Sequence, residues 1–266
     1  MKLKNVLILL TLIFSVGNLN VCSEEKTYIE NLLADTANYL YEISFSEKFE
    51  DNSFIGLPGK HPDVRKVDVV FSEKTFSDIA KHPNRYEIEA LAVKNIINGK
   101  SKDMFEPDAT MTRAEFAAII VKGLWLHDNS GNLFIDVPEN EWYFDYINTA
   151  NSYGIVNGVS ENEFNPNGTI TREEAAVMIT RAAKLCGMNT DLDNTAVRDI
   201  LAVFYDYVKA ADWSVNSLAF CYDNGILTDE KVEIKPKEAV KRAEIALMLF
   251  NTLNSAGLGD AIYEKI

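Results

Sequence analysis

The stretch TITREEAAVMITRAA, residues 169–183, starts a helix in an unusual way. Thr171 and Glu174 form a T-x-x-E capping box, in which each side chain satisfies a backbone donor of the first turn. Arg172 lies between them, where the helix dipole is already positive, at a cost of roughly a few tenths of a kcal/mol. The pattern recurs at Thr112-Arg113-Ala114-Glu115 and, altered, at Lys241-Arg242-Ala243-Glu244. One such arginine is explained by pairing with a neighbouring carboxylate. Three at matching places point to a shared task. A guanidinium beside free first-turn N–H groups is suited to hold a carboxylate, through two parallel donors and a favourable dipole.

Working outward from this helix start uncovers a repeat. Phe105-Glu106-Pro107 and Phe164-Asn165-Pro166 lie 59 positions apart, as do Asn98-Gly99 and Asn157-Gly158. A third copy follows about 70 further on, with Pro236, Arg242 and Glu244 matching Pro166, Arg172 and Glu174. Phe134-Ile135-Asp136 matches Phe204-Tyr205-Asp206, Trp142 matches Trp213, and Phe76-Ser77-Asp78-Ile79 opens the first copy.

Each copy reads as two helices joined by a loop. Tyr143, Tyr146, Ile147 and Ala150 follow helical spacing to a stop at Gly154, and Val215, Leu218, Ala219 and Tyr222 do so to Gly225. The second helices bury Phe116/Ile119/Ile120, Ala175/Met178/Ile179 and Ile245/Met248/Leu249. A two-helix unit cannot hide its single apolar stripe, so the copies must pack on one another. The fold class is therefore all-α, with three helix-loop-helix repeats and one helical domain from about Thr75 to Leu253. The divisions are 1–23, 24–70, 71–130, 131–194 and 195–258.

The first division reads as an export signal, with Lys2 and Lys4 before an apolar run from Val6 to Phe14 and a cleavage site after Ser23. Lipidation of Cys22 is the alternative, with Leu19 at the −3 position of a lipobox. Without the leader the formal charge moves from −14 to −16, and no Lys/Arg run offers a nucleic-acid groove. No later segment is apolar enough to span a membrane. In residues 24–70, Ile29, Leu32, Leu33, Thr36, Ala37 and Leu40 form an amphipathic helix, and Val67/Val69/Phe71 alternate as a strand, making a short α(+β) extension. Its role stays open, including a contact with an envelope protein. Cys186 and Cys221 are either a disulfide or two buried thiols. His61, His82 and His127 show no ligand spacing, so no metal and no cofactor are expected.

In the order F-x-D, a Trp-led helix, G-I-x-x-G, F-x-P and T-R-A-E, the chain resembles the S-layer homology proteins. The second copy carries every element, in Phe134/Asp136, Trp142, Gly154-Ile155 with Gly158, Phe164/Pro166 and Thr171-Arg172 with Glu174. The resemblance implies a pseudo-threefold, three-pronged assembly around a central helical bundle. Its grooves bind secondary cell-wall polysaccharide, often capped by pyruvate ketals, and hold exported proteins on Gram-positive envelopes. The first copy has His82-Pro83-Asn84 at the Trp place. The third has Lys241 for the capping threonine and Asp229 for the second loop glycine, which implies a weakened third groove.

On this basis the polysaccharide-binding residues are Arg113, Arg172, Arg242, Trp142, Trp213, Gly99 and Gly158, with Arg172 at the best groove. Trp142 and Trp213 either stack on sugar rings or belong to the core. Thr112, Glu115, Thr171, Glu174 and Glu244 are structural caps, and Asp136 and Asp206 cap the turn before each first helix. No catalytic residue is expected, because no nucleophile triad, metal pair, phosphate loop or acid pair appears. The chain reads as a wall-anchored envelope protein. Alternatives are an S-layer or adhesive protein assembling through its N-terminal segment, or an accessory subunit of an envelope hydrolase.

Overall fold

The computed structural model describes residues 57, 59–71, 73–127, 131, 133–228 and 232–259. The leader, Cys22, the amphipathic helix around Leu33 and Asp229 lie outside the described residues.

Among the described residues seven α-helices form, at Arg85–Ala92 (α1), Arg113–Gly123 (α2), Phe144–Ser152 (α3), Arg172–Leu185 (α4), Asn194–Leu201 (α5), Asp212–Asp223 (α6) and Arg242–Ser255 (α7). Short 3-10 turns lie at Ser77–Ile79 and Tyr207–Lys209. Among the described residues there is no strand, so the chain is all-α there. Val67 is buried but Val69 and Phe71 are exposed, and the alternation that suggested a strand is not realised. This segment instead serves helix ends. His61 N–H donates to Leu185 O, Arg65 N–H to Leu124 O, and Val70 and Phe71 N–H to Val93 O, so three helix C-termini gain donors for orphan carbonyls.

The two capping boxes are present, with Glu115 N–H donating to Thr112 Oγ1 and Glu174 N–H to Thr171 Oγ1. At α7 only half of the box remains. Glu244 Oε2 accepts from Lys241 N at 2.8 Å, and the lysine offers no acceptor in return. Gly154 and Gly225 end α3 and α6 in the left-handed region, where a residue without Cβ is unstrained. The first copy places Asn95 there, at φ 58°. Helix α5 was not apparent from the repeat. Asp193 caps it, accepting from Thr195 and Ala196 N–H, and it occupies the insertion that lengthens the spacing before the third copy.

The packing is cyclic. Helix α2 lies on α3, α4 on α6, and α7 on α1, so each second helix packs on the first helix of the next copy. The second helices α2, α4 and α7 also touch in all three pairs, forming a central bundle. Their stripes, including Phe116, Ile120, Ala175, Ile179, Ile245 and Leu249, are fully buried there. Cys186 and Cys221 are separate buried thiols, each pushed up to about 12 by desolvation, and are unreactive as nucleophiles.

Candidate polysaccharide-binding junctions

Each junction between copies is built from the same parts, beginning with an aspartate. Asp78 accepts from Phe105 and Glu106 N–H, Asp136 from Phe164 and Asn165 N–H, and Asp206 from Ile234 and Lys235 N–H, all within 2.7–2.9 Å. The aspartates therefore clamp a loop 27–29 residues downstream rather than cap the nearby helix. The clamp has a local cause. Glu106, Asn165 and Lys235 all adopt φ near +55°, so two successive N–H groups converge on one anion.

The loop glycines are required sterically. A Cβ on Gly158 would stand 2.4 Å from Ser160 O and 2.8 Å from the Phe134 ring, and one on Gly99 would stand 2.5 Å from Met104 O.

The arginines reach across to these loops. Arg113, on the first copy's helix, donates from Nε to Phe164 O at 2.9 Å, from Nη2 to Asn157 O at 3.1 Å and from Nη1 to Glu174 at 3.0 Å. Arg172 donates to Ile234 O at 2.8 Å and to Glu244. Arg242 donates to Phe105 O at 2.9 Å and to Asn98 O at 2.7 Å, with Glu115 at 3.8 Å. First copy holds second, second holds third, and third holds first. All three side chains are buried. Burial pulls the Arg113 and Arg242 guanidinium groups below their ordinary value, against the opposing pull of Glu174 and Glu115.

The expectation of free first-turn N–H groups is corrected by the same junctions. Arg113 and Ala114 N–H donate to Gly168 O and Pro166 O, Arg172 and Glu173 N–H to Glu238 O and Pro236 O, and Arg242 and Ala243 N–H to Ala109 O and Pro107 O. The arginine sits at the poor end of its own helix because its partners lie on the neighbouring copy.

Trp142 and Trp213 are not core residues. They are 57% and 59% exposed, whereas Tyr143 is buried and Tyr146 and Tyr222 pack against the core. Trp142 meets Tyr143 edge-on at 5.4 Å, while Lys237 stands 6.0 Å over Trp213. The second and third junctions differ in one respect that sequence reading missed. Buried Glu173 accepts from Ala211 N–H and Ser214 Oγ and pairs with Lys237, supplying from α4 the cap that α6 lacks.

Repeated aspartate-clamped loops, cyclic arginines and a central helical bundle define a tandem-repeat surface module. Residues 75–117 and 133–176 match the S-layer homology domain, so the chain carries S-layer homology domains, modules that bind cell-wall polysaccharide. It is a cell-surface, cell-wall-associated protein. Similar proteins include an amylopullulanase of Thermoanaerobacterium thermosulfurigenes, 33% identical over 70% of this chain and 10% of that protein. The exoglucanase XynX of Acetivibrio thermocellus is 32% identical over 78% of this chain and 19% of its own length. The S-layer protein sap of Bacillus anthracis is 28% identical over 74% of this chain and 23% of its own length. The chain thus spans less than a quarter of each of these relatives. No helix among the described residues is long and apolar enough to cross a membrane.

Proposed function

We propose that this protein is a non-catalytic wall anchor whose three repeats bind secondary cell-wall polysaccharide at their junctions. The observation that carries the reading is the matched exposure of Trp142 and Trp213 at corresponding places of the second and third copies. An indole face presented to water suits the apolar face of a pyranose. Gly99 and Gly158 let the loop backbone close up beneath the ligand. Arg113 uses three of its five N–H donors within the protein, which leaves donors for a carboxylate such as a pyruvyl ketal. By the same logic Arg172 and Arg242 line the second and third junctions, the third being the weakest because it departs most from the pattern.

Cosedimentation of the full chain with purified sacculi, before and after chemical removal of the secondary polymer, tests this. Binding should vanish with the polymer, and Trp142→Ala should weaken binding at least tenfold with an unchanged melt. Binding that persists on stripped sacculi overturns the reading. A second reading, lattice formation, is raised by the similarity to S-layer proteins, and sedimentation of the purified chain as sheets would favour it.

A further inference from the structure

Residues 60–71, ahead of the first repeat, run as a strap across the ends of helices from two copies. Its first moorings are on the second copy. His61 N–H donates to Leu185 O at the end of α4 at 2.8 Å. Asp63 Oδ2 accepts at 2.6 Å from the hydroxyl of Tyr153, the residue that closes α3, and the His61 ring meets Tyr153 edge-on at 5.4 Å. Only then does the strap reach the first copy. Arg65 N–H donates to Leu124 O at the end of α2 at 3.1 Å, and Val70 and Phe71 N–H both donate to Val93 O after α1, at 2.8 and 2.9 Å. Lys60 Nζ donates to Val64 O at 3.0 Å and closes the turn between the two moorings.

The side chains that seat the strap are few. Val64 and Val67 are buried in the core, whereas Val69, Val70 and Phe71 are exposed. The bond to Asp63, and then burial, push the Tyr153 hydroxyl up to about 12, so the phenol keeps its proton and stays a donor at neutral pH. The third copy does without such a mooring. Asn224, at the place of Tyr153, turns back to Phe220 O of its own helix, and α7 closes its own end through Gly257, Leu258 and Gly259 N–H. Arg113 already pins the first and second copies together at the start of α2. The strap ties the opposite end of α2 to the end of α3, the helix on which α2 packs. Undocking it bares two valine seats and returns carbonyls at three helix ends to water, a local opening that leaves the central bundle whole.

We propose that residues 60–71 are a conformational latch on the junction between the first and second copies. Docked, the strap holds the C-terminal ends of α2 and α3 together; released, it lets that junction loosen. By linkage, a ligand that needs the closed junction tightens the strap as much as the strap tightens the ligand. The ligand half of this inference rests on the wall-polymer reading, whereas the latch itself is read without polymer.

Hydrogen–deuterium exchange of the full chain, with and without purified secondary cell-wall polymer, tests this in Tyr153→Phe and Asp63→Ala variants. Either substitution should speed exchange severalfold at the His61 and Arg65 amides and in the last turns of α2 and α3, leaving the last turn of α7 unchanged. Both remove the same bond, so the double variant should be no looser than either single one. Asp63→Asn keeps an acceptor for the hydroxyl and should stay near the parent. Polymer should slow exchange of the strap in the parent chain, and its affinity should fall about fivefold in the two loosened variants. Unchanged exchange in both variants, faster exchange that spreads equally to α7, additive effects in the double variant, or full polymer affinity with a released strap would overturn the latch. A parent chain that shows the exchange pattern but binds no polymer sinks the anchor reading and supports the latch at the helix ends.

Discussion

Arg113 and Arg242 open their helices in the same way, yet the junctions they close are unlike. Arg113 joins neighbouring copies and, among the described residues, is the only cation paired with Glu174, at 3.0 Å. Arg242 reaches a carbonyl 137 positions away and shares Glu115 with Lys100, keeping 3.8 Å from it. The same local sequence therefore makes a tight pair at one junction and a looser, shared one at the other. What a capping arginine does depends on the copy it faces.

The largest expected effect breaks that contrast directly. Arg113→Ala strands Glu174 and two loop carbonyls, and removing one partner of a buried pair costs about 3–5 kcal/mol. Arg242→Ala should fall toward the lower end, because Lys100 still neutralises Glu115. Arg172→Ala should also destabilise rather than act on binding alone. Chemical denaturation of the three variants checks the order, and an unchanged midpoint for Arg113→Ala would show that the cyclic contacts contribute nothing.

The loops offer a smaller step. Gly158→Ala forces a Cβ against two carbonyls and a phenyl ring, an overpacking worth about 1–3 kcal/mol. A wild-type melt for this variant would mean the loop yields freely. Smaller again are the caps. Thr112→Ala and Thr171→Ala should each lose about 1 kcal/mol. Lys241→Thr should gain somewhat less than that, since it completes the box at α7 but gives up the exposed pair with Asp108. A loss of stability in Lys241→Thr would place that helix start elsewhere.

The gentlest probe is acid. Burial tends to raise Asp78 and Glu115, but the Phe105 and Glu106 N–H groups and Arg242 hold Asp78 below its ordinary value. Lys100, the Thr112 N–H and Arg242 do the same for Glu115. A carboxylate depressed in the folded state contributes stability above its unfolded value, near pH 4, and loses it as pH falls through the folded value. The junction closed by Arg242 should therefore loosen on acidification. Melting temperature followed from pH 6 to pH 2 should show a limb that Asp78→Asn flattens. A parallel curve for that variant would remove Asp78 from the account.

Much of this was legible in the residues. Helix starts at Thr112 and Thr171, stops at Gly154 and Gly225, and the buried stripes follow from local rules of capping, φ and period. The partners of Asp136 and Arg113 were not, because they lie 28 and 61 positions away and only the closed ring brings them near. Asp136 read as a helix cap because capping is the commonest local use of an aspartate. Helix α5 could have been found, since Asp193 followed by Val197, Ile200 and Leu201 is a capped amphipathic turn hidden by attention to the repeat.

The bond from Arg242 to the loop around Phe105 also sets an order of events. As the chain is made from its N-terminus, the first copy's loop carbonyls stay unclaimed until the last helix forms. The domain therefore folds late and all together, as expected where distant contacts must close before they stabilise anything. A chain that stops short of residue 242 leaves the first copy's loop unheld, while Arg113 still closes the second.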